Sequence, residues 1–99
     1  MNRRQYIISP ISVNGVVVKV LIIDRHLDKH SDHINDQFVK VLVNKLHDEV
    51  LEPIKMVDGF QYYASIIFEK GKWYKLIWLM EVGARYIGVI TAFRDRRIK

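Results

Sequence analysis

A chain of 99 residues is long enough for one domain with a single hydrophobic core and too short to bury a second. Apolar residues make up 49% of it, which argues against disorder, and the absence of cysteine rules out disulfides and thiolate metal sites and fits a reducing compartment. The formal net charge of +5 sits largely at the two ends, in Arg3 and Arg4 and in Arg94, Arg96, Arg97 and Lys99. Charge of that sign attracts polyanions such as nucleic acid through counterion release, although a value this small also suits a plain solubilising surface.

The opening "MNRRQYIISPISVNG" has no apolar run long enough for a signal peptide or a membrane span, so the expectation is a soluble, cytoplasmic protein with no membrane partner. Residues 5 to 13 and 16 to 24 read as two strands joined by Asn14-Gly15, the dipeptide best suited to a type I′ hairpin turn. Pro10 marks the first strand as an edge or an interrupted strand. From Asp32 the apolar period becomes helical: Ile34, Phe38, Val41, Leu42 and Leu46 share a face that Val39 and Val43 widen. Ser31 or Asp32 is the expected N-cap, and the helix should fade by Asp48, before Pro53 and the Asp58-Gly59 turn.

After that turn the period shortens to two. "FQYYASIIFE", "KWYKLIWLMEV" and "RYIGVITAF" are rich in aromatic and β-branched residues and are separated by Lys70-Gly71 and Gly83-Ala84. The expected fold is α+β in a single domain over residues 1–99: an N-terminal β-hairpin, one main helix and a three-stranded antiparallel meander (β-β-α-β-β-β), with Phe38, Leu42, Leu76 and Val89 in one core. The middle meander strand is apolar on both sides, which a single helix cannot cover. That excess predicts a homodimer or another covering partner.

Three of the four histidines, His26, His30 and His33, fall within "HLDKHSDH". On a continuous helix their steps of four and three would form a trident for zinc or nickel. With a cap at Ser31 or Asp32 they straddle a strand end, a loop and a first turn instead, so no shared metal and no cofactor is expected. His26, directly after the apolar strand "VLIID", is the candidate for proton transfer near neutral pH. His30 and His33 read as solvated, and His47 as a residue complementing the dipole at the helix C-terminus.

The order of strand, histidine, helix and closing meander, together with Tyr74, Lys75, Leu76 and Ile77 and with the run from Val89 to Arg94, resembles the RelE-like branch of the barnase, colicin and RelE superfamily of ribonuclease folds. It is closest to that superfamily's small uncharacterised domains, which carry a histidine after an early strand and a closing strand of the form V-I-T-x-aromatic, here Val89 to Phe93. The resemblance spans most of residues 16 to 97. It departs from the toxins at Ile98, in a region where they often place a catalytic tyrosine.

The resemblance implies a toxin-like, metal-independent endoribonuclease in which the 2′-hydroxyl attacks the adjacent phosphate. His26 would be acid or base, Arg94 and Lys75 would stabilise the phosphate, and Tyr86 or Thr91 would orient it. Arg3, Arg4, Arg96, Arg97 and Lys99 would hold RNA. Thr91 and Arg94 face opposite sides of a regular strand, so they meet only if the strand ends or bulges between them. Two other function classes fit the same residues: a non-catalytic RNA-binding module, and a protein-interaction domain of antitoxin or immunity type with an aromatic sheet face.

Overall fold

The computed structural model describes residues 3–24 and 34–96. Its strands are β1 (Arg3–Val13), β2 (Val16–Asp24), β3 (Lys55–Val57), β4 (Phe60–Glu69), β5 (Lys72–Glu81) and β6 (Tyr86–Arg94), and its helix is α1 (Asp36–Asn44). All six strands belong to one sheet in the order β1-β2-β6-β5-β4-β3.

This corrects the expected fold. The protein is not a hairpin, a main helix and a separate three-stranded meander, but a six-stranded mixed sheet with one short helix. The unforeseen link is a parallel pairing of β2 with β6, from Val20 opposite Tyr86 to Ile23 opposite Val89, which fuses the hairpin to the strands after the helix. The sequence is consistent with this place: "VVVKVLIID" is apolar on both faces, as interior strands commonly are, and it lies between β1 and β6. The short strand β3, placed in a loop by its Pro53 and Asp58-Gly59 surroundings, pairs with Phe60–Tyr62 at the far edge.

The helix is shorter than expected because its cap comes later. Asn35, not Ser31 or Asp32, is the N-cap, its side-chain oxygen accepting the Phe38 N–H at 2.9 Å. At the other end the chain tightens into a turn, Lys45 donating to Leu42, Leu46 to Val43 and His47 to Asn44, before Asp48 enters the left-handed region at φ 64°. Ile34, Val39, Leu42, Val43 and Leu46 are buried, whereas Val41 turns 37% of its surface to solvent. The buried face is therefore centred on Leu42 and rotated away from Val41.

One core lies between α1 and the sheet. Leu42, Leu76 and Val89 are buried in it, with Phe38 half-buried at its margin, where its ring meets Tyr74 edge-on at 4.8 Å. Trp78 and Tyr63 stack at 4.1 Å between ring centres, and the Trp78 indole donates to Ser65 Oγ at 2.9 Å.

The Asn14-Gly15 turn has positive φ at both residues (52° and 75°), as a type I′ hairpin requires. Its Asn14 side chain does more than turn the chain. The amide oxygen accepts the Leu51 N–H at 2.6 Å and the amide nitrogen donates to the Tyr63 hydroxyl at 2.9 Å, tying the hairpin to the post-helix segment and to β4. His47 also departs from its expected dipole role: its Nδ1 accepts the Ser12 N–H at 3.0 Å, closing the end of β1.

Candidate functional site

Strand pairing assigns every meander residue to a face. Trp78 is buried against the helix, so its register partners Tyr63 and Val89 lie on that side, along with Leu76, Met80 and Ile67. The alternate residues Tyr62, Ala64, Ile66 and Phe68 of β4 and Trp73, Lys75, Ile77 and Leu79 of β5 point to the opposite face. None of the large side chains there is fully buried, and Ile66 and Phe68 are about half exposed, at 47% and 52%. Phe68 and Trp73 meet edge-on at 4.9 Å. An open, largely apolar and aromatic sheet face is the most distinctive surface among the described residues.

Strand β6 carries a bulge. Ile77 pairs with Thr91 and Trp78 with Val89, so Ile90 is an extra residue. The bulge precedes Thr91, and the strand runs regularly from there to Arg94. Thr91 and Phe93, opposite Ile77 and Lys75, therefore lie on the open face, whereas Arg94, opposite Tyr74, lies on the helix face.

The five expected catalytic residues are thus divided. Lys75 and Thr91 come together as diagonal neighbours on one face, at about 7–8 Å for such a pair. Arg94 is exposed on the other side of the sheet. Tyr86 shares the open face but starts β6, about 15 Å from Thr91 at ordinary strand rise. Its hydroxyl donates to Glu81 Oε1 at 3.0 Å, and burial, then that hydrogen bond and the Glu81 charge, hold its pKa above the usual tyrosine value. Tyr86 is therefore a neutral donor, not a base. His26, and with it His30 and His33, lies outside the described residues, as does the question of a metal held by the three. No metal-binding group of three His, Cys, Asp or Glu is present among the described residues.

Of the residues expected to hold RNA, Arg4 is engaged on the helix face, its guanidinium forming two hydrogen bonds to the Asp36 carboxylate at 2.7 and 3.1 Å. Arg3 lies opposite Asp24 and lines a cleft in the open face. Arg96 is exposed just beyond β6, and Arg97 and Lys99 lie outside the described residues.

That cleft, about 330 Å³, was not anticipated. Phe60, Tyr62 and Tyr86 supply aromatic surface, Arg3, Asp24 and Glu81 supply charge, and Gly88 forms part of its floor. A side chain at Gly88 would meet Leu79 Cδ1 at 3.0 Å, so glycine is what lets Leu79 and Tyr86 close over the strand here. The signal was available in the period-two pattern: Phe60, Tyr62, Ile66 and Phe68 have one parity, and the buried Tyr63 and Ile67 the other.

One polar atom on this face has no counterpart. Thr91 Oγ1 is buried and has no hydrogen-bond partner among the described residues. Such a group costs stability, and a bound water or a ligand atom that reached it would recover that cost.

Among the described residues no helix is long and apolar enough to cross a membrane. No protein-family model, curated protein or solved structure matches this chain.

Proposed function

We propose that the open sheet face binds single-stranded RNA and that the chain is a metal-independent endoribonuclease acting there, as the RelE-like resemblance implies. The observation that supports this reading is the buried, unpartnered Thr91 hydroxyl beside Lys75. A hydroxyl and an ammonium on one face suit a phosphate oxygen, and the aromatic residues Phe93 beside them and Tyr62, Trp73 and Tyr86 further along the same face offer platforms on which unpaired bases stack.

In the reaction the 2′-hydroxyl gives its proton to a base as its oxygen bonds to phosphorus, and the 5′-oxygen leaves with a proton from an acid. His26, two residues after the end of β2, serves as acid or base. Lys75 offsets the charge growing on the phosphate and Thr91 donates a hydrogen bond to it. Arg94 is withdrawn from this set because it stands across the sheet.

The test is cleavage of a mixed RNA pool in excess chelator by the unmodified chain and by His26→Ala, Lys75→Ala, Thr91→Val and Arg94→Ala. Loss in the first three with retention in the fourth supports the reading. RNA left intact by the unmodified chain but bound, with an affinity that falls with salt and with Lys75→Ala, replaces the enzyme with a binding module. Neither cleavage nor binding removes RNA from the account.

A further inference from the structure

The two edges of the sheet are treated differently. β1 is guarded: it carries Pro10, its register slips between Ile7 and Ile11, and His47 and Asp48 occupy the backbone groups of Ser12, whose N–H donates to the imidazole and whose carbonyl accepts the Asp48 N–H at 2.7 Å. β3 covers the opposite edge only over Phe60–Tyr62. From Tyr63 to Glu69 no described strand pairs with the outer side of β4.

The parity of that stretch follows from one hydrogen bond. The Tyr62 carbonyl accepts the Ile54 N–H at 2.7 Å, so Tyr62 turns its backbone groups outward. In an antiparallel strand alternate residues do the same, and Ala64, Ile66 and Phe68 therefore present outward N–H and C=O groups along the uncovered edge. The run "YASIIF" holds no charge and no proline, the devices that normally blunt such an edge.

We infer that two copies of this chain join antiparallel through this edge, with Ile66 on the two-fold axis. The sequence of the edge is self-complementary about that point. Ile66 faces the partner's Ile66, and the half-exposed Phe68 faces the partner's Ala64, large against small in both directions. Each of these pairs consists of outward-facing residues, so each exchanges both N–H···O=C bonds. On the helix side a groove of about 380 Å³, lined by Lys45, Leu46, Glu49 and Leu51, runs along Ala64–Phe68 and leaves room for the partner's Ser65 and Ile67. The joined sheets carry their open faces side by side. The inference does not depend on what those faces bind.

The experiment is sedimentation equilibrium of the full chain over a wide micromolar range, with circular dichroism to confirm that each variant is folded. The unmodified chain dimerises. Ile66→Lys, which sets two ammonium groups opposite each other on the axis, weakens the dimer at least tenfold. Ala64→Phe and Phe68→Ala each weaken it, and the double variant Ala64→Phe/Phe68→Ala regains most of the loss, because large again faces small. A double variant as weak as its two parents overturns the register. A dimer indifferent to Ile66→Lys, or a chain monomeric at every concentration, overturns the interface and leaves this edge to another strand or to none.

Discussion

Thr91 and Arg94 lie three residues apart on β6 and on opposite faces of the sheet. A strand alternates its side chains, and only a bulge between the two would have brought them to one side. The bulge exists, but at Ile90, before Thr91 and not between the two. Its effect is to set Thr91 opposite Ile77 and beside Lys75 on the open face, while Arg94 sits across from Tyr74, whose ring meets Phe38 on the helix side.

The first prediction follows from that division. Lys75→Ala should lower RNA cleavage, or RNA binding if the chain does not cleave, by about tenfold or more, since removing one group that stabilises charge on a reacting phosphate costs on the order of 10²–10³ in rate in preorganised sites. Arg94→Ala should stay within about twofold, about 0.4 kcal/mol at the usual conversion of 1.4 kcal/mol per tenfold. Initial rates on a common RNA substrate at fixed salt decide it. An Arg94 variant as damaged as the Lys75 variant would return Arg94 to the site.

Thr91 should show stability and activity moving in opposite directions. Its hydroxyl is buried without a partner, and an unsatisfied buried polar group costs about 1–3 kcal/mol. Thr91→Val keeps the shape and β-branching and removes the orphan. The variant should melt at a higher temperature than the parent while losing activity. A lowered melting temperature would mean that the hydroxyl is satisfied in the folded chain and that its orphan status is no clue to a ligand.

Asp36 should make stability depend on acid. Burial pushes its carboxyl up, but the Arg4 and Tyr6 hydrogen bonds and the charges of Arg4 and Lys40 outweigh that and hold it below the ordinary aspartate value. A depressed folded pKa contributes stability that is fully present above the unfolded value of about 3.9 and is lost as pH falls through the lower folded one. Tyr6 has the opposite sign: its hydrogen bond to Asp36, with burial and the Asp36 charge, raises its pKa, so that contribution is present below about 10 and is lost as pH rises beyond it. Thermal melts of the parent and of Asp36→Asn should differ at pH 7, and the difference should shrink as pH falls below the ordinary aspartate value of about 3.9. A gap that is constant down to pH 2 would assign it to packing instead.

How far the sequence predicts the molecule varies with the range of the interaction. Asn14-Gly15 gave its turn away because positive φ at both residues is a local requirement, and the period-two runs from Phe60 onward mark strands for a similarly local reason. The parallel pairing of Val20–Ile23 with Tyr86–Val89 joins segments more than sixty residues apart, and no local pattern specifies it. The bulge at Ile90 belongs to the same class, and it decides which side of the sheet Thr91 takes relative to Trp78. The helix start was misplaced because Ser31, Asp32 and Asn35 are all competent caps, and tertiary contacts choose among them; Asp36 bonded to Arg4 and Tyr6 fixes the first turn after Asn35.

Asn14 offers a test of how the hairpin is held to the rest of the fold. Its backbone needs φ of 52°, which glycine adopts without penalty, so Asn14→Gly preserves the turn and removes only the side chain. That side chain satisfies the Leu51 N–H and donates to the Tyr63 hydroxyl, on the ring that stacks against Trp78. Losing it leaves a part-buried donor without its acceptor, at a cost of about 1–3 kcal/mol. Asn14→Ala loses the same bonds and adds the strain of a left-handed backbone, a further 1 kcal/mol or so. Urea unfolding should therefore rank the parent above Asn14→Gly and Asn14→Gly above Asn14→Ala. If Asn14→Gly matched the parent, the bonds from Asn14 to Leu51 and Tyr63 would be idle and the turn alone would explain the residue; if Asn14→Ala matched Asn14→Gly, the positive φ would carry no cost and the turn would not.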